Sequence, residues 1–197
     1  MSSRLLGKLT RLFAEGQQRE LPTFRDEAGY APDELRPAAV LMAVTERDDP
    51  GFLMIHRPSH MRAHAGQAAF PGGKIDPGED AVTAALREAH EELGIEARDV
   101  HVIGTTDRFK TRTGYDITPV LAMVPPDLPL RPNPCEVASW FEPPVDYVLD
   151  AANHIERIVD WEGMERHFIE IDWQGHLIWG VTAAILANLA DRIRWHG

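Results

Sequence analysis

Gly73-Lys-Ile-Asp-Pro-Gly-Glu79 and, seven residues further on, Arg87-Glu88-Ala-His-Glu91-Glu92-Leu-Gly94-Ile95 decide how this chain is read. Asp80 is a fitting N-cap and Gly94 a fitting C′ glycine, so the spacing predicts a helix between them. On that helix Val82, Ala85, Leu86, Ala89 and Leu93 share an apolar face that would pack on a sheet. Glu88, Glu91 and Glu92 fall in a separate sector roughly 100° wide, given 3.6 residues per turn. Carboxylates this close repel, and a divalent cation is the simplest relief. Hard oxygen ligands of this kind suit Mg²⁺ or Mn²⁺. Arg87 stands i, i+4 to Glu91 and can hold it, with Glu79 as a further partner. The glycines before the helix let backbone approach closely, so the carbonyl of Gly72 or Gly73 can complete a metal shell. The plainer alternatives are a solvated acidic helix face and an ordinary Asp-Pro-Gly turn. No Gly-Lys-Ser/Thr follows at Walker spacing.

Working outward, Leu5, Leu6, Leu9, Leu12 and Phe13 are spaced helically beside Arg4, Lys8 and Arg11. An amphipathic first helix docked on the domain is expected, with a transit peptide as the alternative. A polar, proline-broken arm follows to about Leu35. Pro37 to Thr45 reads as a buried strand, and Phe52 to Arg57 as its hairpin partner. Phe70 to Gly73 reads as a short strand, and Val100 to Gly104 as another. Tyr115 to Val124 also reads as a strand, with Pro119 marking an edge or a bulge. Pro125 to Pro134 is a loop, Glu136 to Phe141 leads into a short element, and Val145 to Asn153 reads as helical. Arg157 to Trp161 and His167 to Trp173 form a predicted hairpin. Gly180 to Ile193 is a predicted helix. Strands and helices mix without a βαβ rhythm, which predicts an α+β fold or an α/β/α sandwich on a mixed sheet.

The 197 residues, 44% of them hydrophobic, suffice for one globular domain. The formal net charge of −11 argues against binding nucleic acid through phosphates. It leaves room for a small anionic substrate, because a metal and a few arginines can invert the local field. No apolar run reaches membrane-spanning length. The single cysteine, Cys135, fits a reducing compartment, so a cytoplasmic protein is expected.

Gly73, Glu79, Arg87, Glu88, Glu91, Glu92, Gly94 and Ile95 stand in the register of the Nudix box, and the stretch resembles it closely. Ala89 is the soft departure, small where a larger aliphatic residue is usual. The resemblance implies an α/β/α Nudix fold with a mixed sheet between helices, and hydrolysis of a diphosphate joined to another moiety. The expected domain spans 36–197, C-terminal hairpin and helix included, with 1–35 as a helix and arm packed on it. Glu88 and Glu92 would be the main metal ligands, with Glu91 and the Gly73 carbonyl beside them, and Arg87 would orient a glutamate. The proton acceptor stays open among Glu91, Glu92 and Glu136.

The preceding stretch, Leu53 to Gly73, is similar to the additional motif of the coenzyme A diphosphatase branch. Leu53, Arg57, Arg62, Gly66, Phe70, Pro71, Gly72 and Gly73 match in register, while Met54, Ile55 and Pro58 depart. This implies cleavage of coenzyme A, or an oxidised or acylated form, to adenosine 3′,5′-bisphosphate and 4′-phosphopantetheine. Arg57, Arg62, Phe70 and Lys74 are the expected substrate contacts, since arginine's planar fork suits phosphate. His60 and His64 can bind phosphate or metal, although structural hydrogen bonds are the plainer reading. The expected partner is the small-molecule substrate alone, with neither nucleic acid nor membrane, in a monomer or homodimer. The alternatives are a Nudix hydrolase of ADP-ribose, a dinucleoside polyphosphate or NADH, and a noncatalytic nucleotide-binding domain.

Overall fold

The computed structural model describes residues 4–21, 34–59, 66–161 and 164–195. In chain order the elements are α1 (Arg4–Gln17), β1 (Arg36–Thr45), β2 (Met54–His56), β3 (Ala68–Ala69), β4 (Gly72–Lys74) and α2 (Ala81–Leu93). Then come β5 (His101–Thr105), β6 (Phe109–Lys110), β7 (Tyr115–Val124), β8 (Ser139–Phe141), α3 (Val145–Val148), β9 (Ile155–Trp161), β10 (Met164–Trp173), β11 (His176–Trp179) and α4 (Gly180–Ile193).

β1 is buried from Ala38 to Thr45 except for half-buried Val40. A strand covered on both faces needs such a near-continuous apolar run. Ala39, Leu41 and Ala43 face one core, and Met42 and Val44 the other. β7 pairs with β1 in parallel from Arg36↔Tyr115 to Thr45↔Val124. β4 lies antiparallel on the other edge of β1, and β5 and β6 lie antiparallel on the far side of β7. The helix α2 covers one face with small residues, Ala84, Ala85 and Ala89, plus Leu93. Helices α1 and α4 cover the other, burying Leu9, Leu12 and Phe13 with Ile185, Leu186, Leu189 and Ile193. The result is an α/β/α sandwich on a mixed sheet. The first helix runs past Phe13 to Gln17 and is tied to α4 where Arg192 Nη1 donates to the Gly16 carbonyl at 3.0 Å. Among the described residues no helix is long and apolar enough to cross a membrane.

Several local expectations are corrected. β1 and β2 do not form a continuous hairpin. Leu53 N still donates to the Ala43 carbonyl, but β4 occupies the β1 edge beyond it, and β2 turns away to pair with β3 and β8. Pro119 lies inside a central strand rather than at an edge. It sits where the partner of β7 changes from β6 to β5, and its carbonyl accepts from Thr106 N. Val145 to Asn153 is a single helical turn and a separate 3₁₀ turn, Ala151–Asn153. The predicted hairpin gains a third strand, β11. The buried stripe of α2 is rotated: Val82 and Leu86 are half-buried, whereas Ala84 and Glu92 are inside.

The join between β1 and β4 requires glycine at position 72. A Cβ there would stand 2.3 Å from the Ala39 carbonyl oxygen and 2.7 Å from Val40 Cα, both backbone atoms that cannot give way. Gly72→Ala is therefore expected to cost about 1–3 kcal/mol, lowering the thermal midpoint by roughly 3–10 °C in a calorimetric scan. An unchanged midpoint would contradict the close strand packing.

Candidate active site

Helix α2 begins where Asp80 Oδ1 accepts from Thr83 N at 2.7 Å, and ends at Gly94, whose φ of 71° closes it. Its small inner residues let it sit close to the sheet, which carries Glu92 inward to 2% side-chain exposure. Gly72 N, at the start of β4, donates to Glu92 Oε2 at 2.9 Å. Glu88 lies against Gly73, where a Cβ would stand 2.3 Å from Glu88 Oε1. Of the two adjacent glycines, Gly73 thus makes room for the Glu88 carboxylate, while Gly72 lets β4 approach β1 and turns its N–H to Glu92.

Arg87 spends its donors on this arrangement. Its Nε and Nη2 grip Glu79 at 2.9 and 3.1 Å, and Nη2 also donates to the Lys74 carbonyl at 2.9 Å. Its Nη1 donates to Glu88 at 2.9 Å and to Glu91 at 3.2 Å. The hydrogen bond to Glu79 is the largest cause that raises the guanidinium above its ordinary value, and the same bond lowers Glu79.

The loop before β8 brings a third carboxylate. Arg131 N and Asn133 N donate to the carbonyls of Leu93 and Glu92 at 2.7 and 2.9 Å, satisfying the open end of α2. Asn133 then holds Glu136. Its Oδ1 accepts from Cys135 N at 3.1 Å, and its Nδ2 donates to Glu136 Oε1 at 3.2 Å. Glu88, Glu92 and Glu136 each offer an oxygen within 4.8 Å of the others. Three hard oxygen donors at this spacing fit a divalent cation. Burial pushes the Glu92 carboxyl up to about 8, against the pull of Gly72 N–H and of Arg57. Burial also raises Glu88, opposed by Arg87.

The expected residues therefore divide. Glu88, Glu92 and Glu136 converge, with Gly73 alongside. Glu91, expected among the metal ligands, has a 46% exposed side chain, is bound to Arg87 and lies outside the converging three. Arg57 stands with Nη1 4.0 Å from Glu92 Oε1, and its Nε is buried without a partner among the described residues. Phe70, expected to touch substrate, is 3% exposed and packs edge-on against Phe52 in the core, with ring centroids 5.7 Å apart. The exposed Lys74 gives its carbonyl to Arg87. Arg62, with His60 and His64, lies outside the described residues. Asn133 went unread in the sequence, although an Asn just before Pro134 is a recognisable turn signal. So did the pairing of His56 with His176, which nothing local in the sequence announces.

The sequence profile of the NUDIX domain matches residues 35–161. The "Uncharacterized Nudix hydrolase NudL" of Yersinia pestis (strain Pestoides F) is 36% identical over 198 residues, covering 98% of this chain and 99% of that protein. The protein of the same name from Yersinia pseudotuberculosis serotype O:1b (strain IP 31758) matches equally. Among solved structures, the Nudix hydrolase RenU from M. smegmatis is 28% identical with a TM-score of 0.50, covering 57% of this chain and 73% of that one. The chain belongs to the Nudix hydrolase family, and is a pyrophosphohydrolase acting on nucleoside diphosphate derivatives.

Proposed function

We propose that the protein hydrolyses the diphosphate of coenzyme A, or of an oxidised or acylated form, to adenosine 3′,5′-bisphosphate and 4′-phosphopantetheine or its acyl form. The observation that carries this reading is Arg57. Its part-exposed side chain stands beside the carboxylate cluster, with an Nε that has no partner among the described residues, in the register of the coenzyme A motif. Coenzyme A bears a 3′-phosphate beyond its diphosphate, and an arginine with donors to spare suits that extra charge.

In this reading Glu88 and Glu92 would hold Mg²⁺ or Mn²⁺, with Glu136 facing them. A cation bound there supplies charge to offset the diphosphate and lowers the pKa of a water. Arg87 keeps Glu88 in place through its Nη1, leaving Arg57 to meet the substrate. Glu136, steadied by Asn133, is the carboxylate assigned to accept the water's proton. The water oxygen then bonds to one phosphorus in line with the bridging oxygen, and the P–O bond to that oxygen breaks. The bridging oxygen leaves on the other phosphate. Glu91, exposed and bound to Arg87, serves as a brace for the arginine.

Product identification from coenzyme A with purified enzyme and Mg²⁺ or Mn²⁺ tests the substrate. Adenosine 3′,5′-bisphosphate and 4′-phosphopantetheine are expected. Equal or faster turnover of ADP-ribose would overturn the coenzyme A assignment while leaving the chemistry intact.

Glu92→Gln should reduce turnover about 100-fold or more, exceeding the 10–100-fold cost typical of residues that only support a ligand. Gln keeps an acceptor for Gly72 N–H and matches the neutral carboxyl in size and charge, so the metal-free variant should melt no lower than wild type. Undiminished hydrolysis would show that Glu92 does not hold the cation.

Metal binding should also release a proton. With the Glu92 carboxyl at about 8 in the metal-free protein, above its ordinary 4.5, its stabilising neutral form is complete below about pH 4.5 and is lost as pH rises through about 8. Chelated protein should therefore lose stability toward pH 8.5, and Mn²⁺ should restore more of it there than at pH 6. Calorimetric titration in two buffers of different ionisation heat should show proton release at pH 7. Affinity that does not change between pH 6 and 8.5 would contradict this linkage.

A further inference from the structure

The family match ends at residue 161, yet the strands that follow return to the rim of the active site. The β10–β11 turn passes through Gln174 and Gly175, both at positive φ, 52° and 84°. It delivers His176 to His56, with His176 Nδ1 2.9 Å from His56 Nε2. On its other side His56 Nδ1 lies 3.3 Å from the Gly66 carbonyl oxygen. A carbonyl only accepts, so His56 donates through Nδ1, and in the neutral ring Nε2 is then the acceptor. With both rings neutral, that Nε2 accepts from His176 Nδ1–H. The two bonds therefore run in one direction, from His176 through His56 to Gly66. Phe141 lies against both rings, at 4.2 Å and 7° to His176 and 4.7 Å and 24° to His56. Trp173 closes the stack, 5.7 Å from His176. Burial lowers the His176 imidazole, with His56 adding to the effect and Asp172 opposing it.

His56 is also the last residue of β2, directly before Arg57. Its carbonyl accepts from Ala138 N, two residues beyond Glu136. Arg57 N donates to the Gln67 carbonyl, and Gly66 N donates to the Arg57 carbonyl, each at 3.0 Å. The backbone at Arg57 is thus pinned to the backbone at Gly66, and Gly66 is pinned to His56. The side chains of successive residues point to opposite faces of a strand. His56 therefore meets the C-terminal hairpin on one face, while Arg57 meets Glu92 on the other.

We propose that His176 is a positioning residue for substrate binding: through His56 and Gly66 it fixes the end of β2, and so sets where the Arg57 guanidinium stands. The proposal rests on the reading that Arg57 faces the substrate, and it gives the C-terminal hairpin a part in recognition.

His176→Phe keeps the aromatic stack and removes the hydrogen bond. His176→Asn keeps a donor near the Nδ1 position and loses the ring. Both are compared with Arg57→Ala and with the double variant Arg57→Ala/His176→Phe, on whichever diphosphate the wild type turns over. His176→Phe should raise KM about fivefold, the worth of one hydrogen bond, with kcat changed by less than about twofold. His176→Asn should recover most of that loss. On the Arg57→Ala background His176→Phe should add nothing, because the effect runs through that arginine. Three outcomes would overturn the proposal: wild-type KM in His176→Phe while Arg57→Ala is impaired, effects of the two variants that multiply, or a fall in kcat alone. An unimpaired Arg57→Ala would instead remove the substrate role of Arg57, and the proposal with it.

Discussion

A carboxylate that is 2% exposed and faces two others is the constraint on which this structure depends. An ionised carboxylate taken out of water loses several kcal/mol of solvation, and its neighbours' charges add to the cost. The fold meets the cost for Glu92 with one backbone N–H, from Gly72, and one guanidinium, Arg57, at the long distance of 4.0 Å. Neither is a full ion pair, so the carboxyl holds its proton to about pH 8. The surrounding features follow from keeping it there. The glycines at 72 and 73 exist because any Cβ would strike β1 or Glu88. The alanines of α2 bring the helix close enough for Gly72 to reach. The loop at Asn133 is drawn in by the very carbonyls at the end of that helix.

How much of this was legible depended on whether the determinant was local. The caps of α2, the buried run of β1 and the apolar period of α4 are local patterns, and they stand where the sequence put them. The choice between Glu91 and Glu136 is not local. A helical wheel places Glu91 as well as Glu88 beside Glu92, yet both bind Arg87 Nη1 and only Glu88 turns in to the cluster. Glu136 reaches the cluster through backbone bonds from Asn133 to a helix more than 30 residues earlier in the chain, where no periodicity reports it. Pro119 misled for a related reason. Its missing N–H falls where β7 changes partners, which depends on the register of two other strands.

Charge supplies the last step. The chain carries a net −11, which repels an anionic substrate at long range. At physiological salt that repulsion is screened beyond about 8 Å, so attraction must come from charges within the site. With all three carboxylates ionised, a single divalent cation leaves the cluster short of neutral by one charge. Arg87 cannot make up the difference for a substrate, because Glu79, Glu88 and Glu91 already take its donors. In the proposed reading Arg57 does so: its side chain is part-exposed beside Glu92, and its Nε has no partner among the described residues. On that reading the two arginines divide the work, Arg87 shaping the cluster and Arg57 meeting what binds. It gives the end of β2, which precedes the box in the chain but stands beside Glu92 in space, a reason to be fixed from the other face of the sheet.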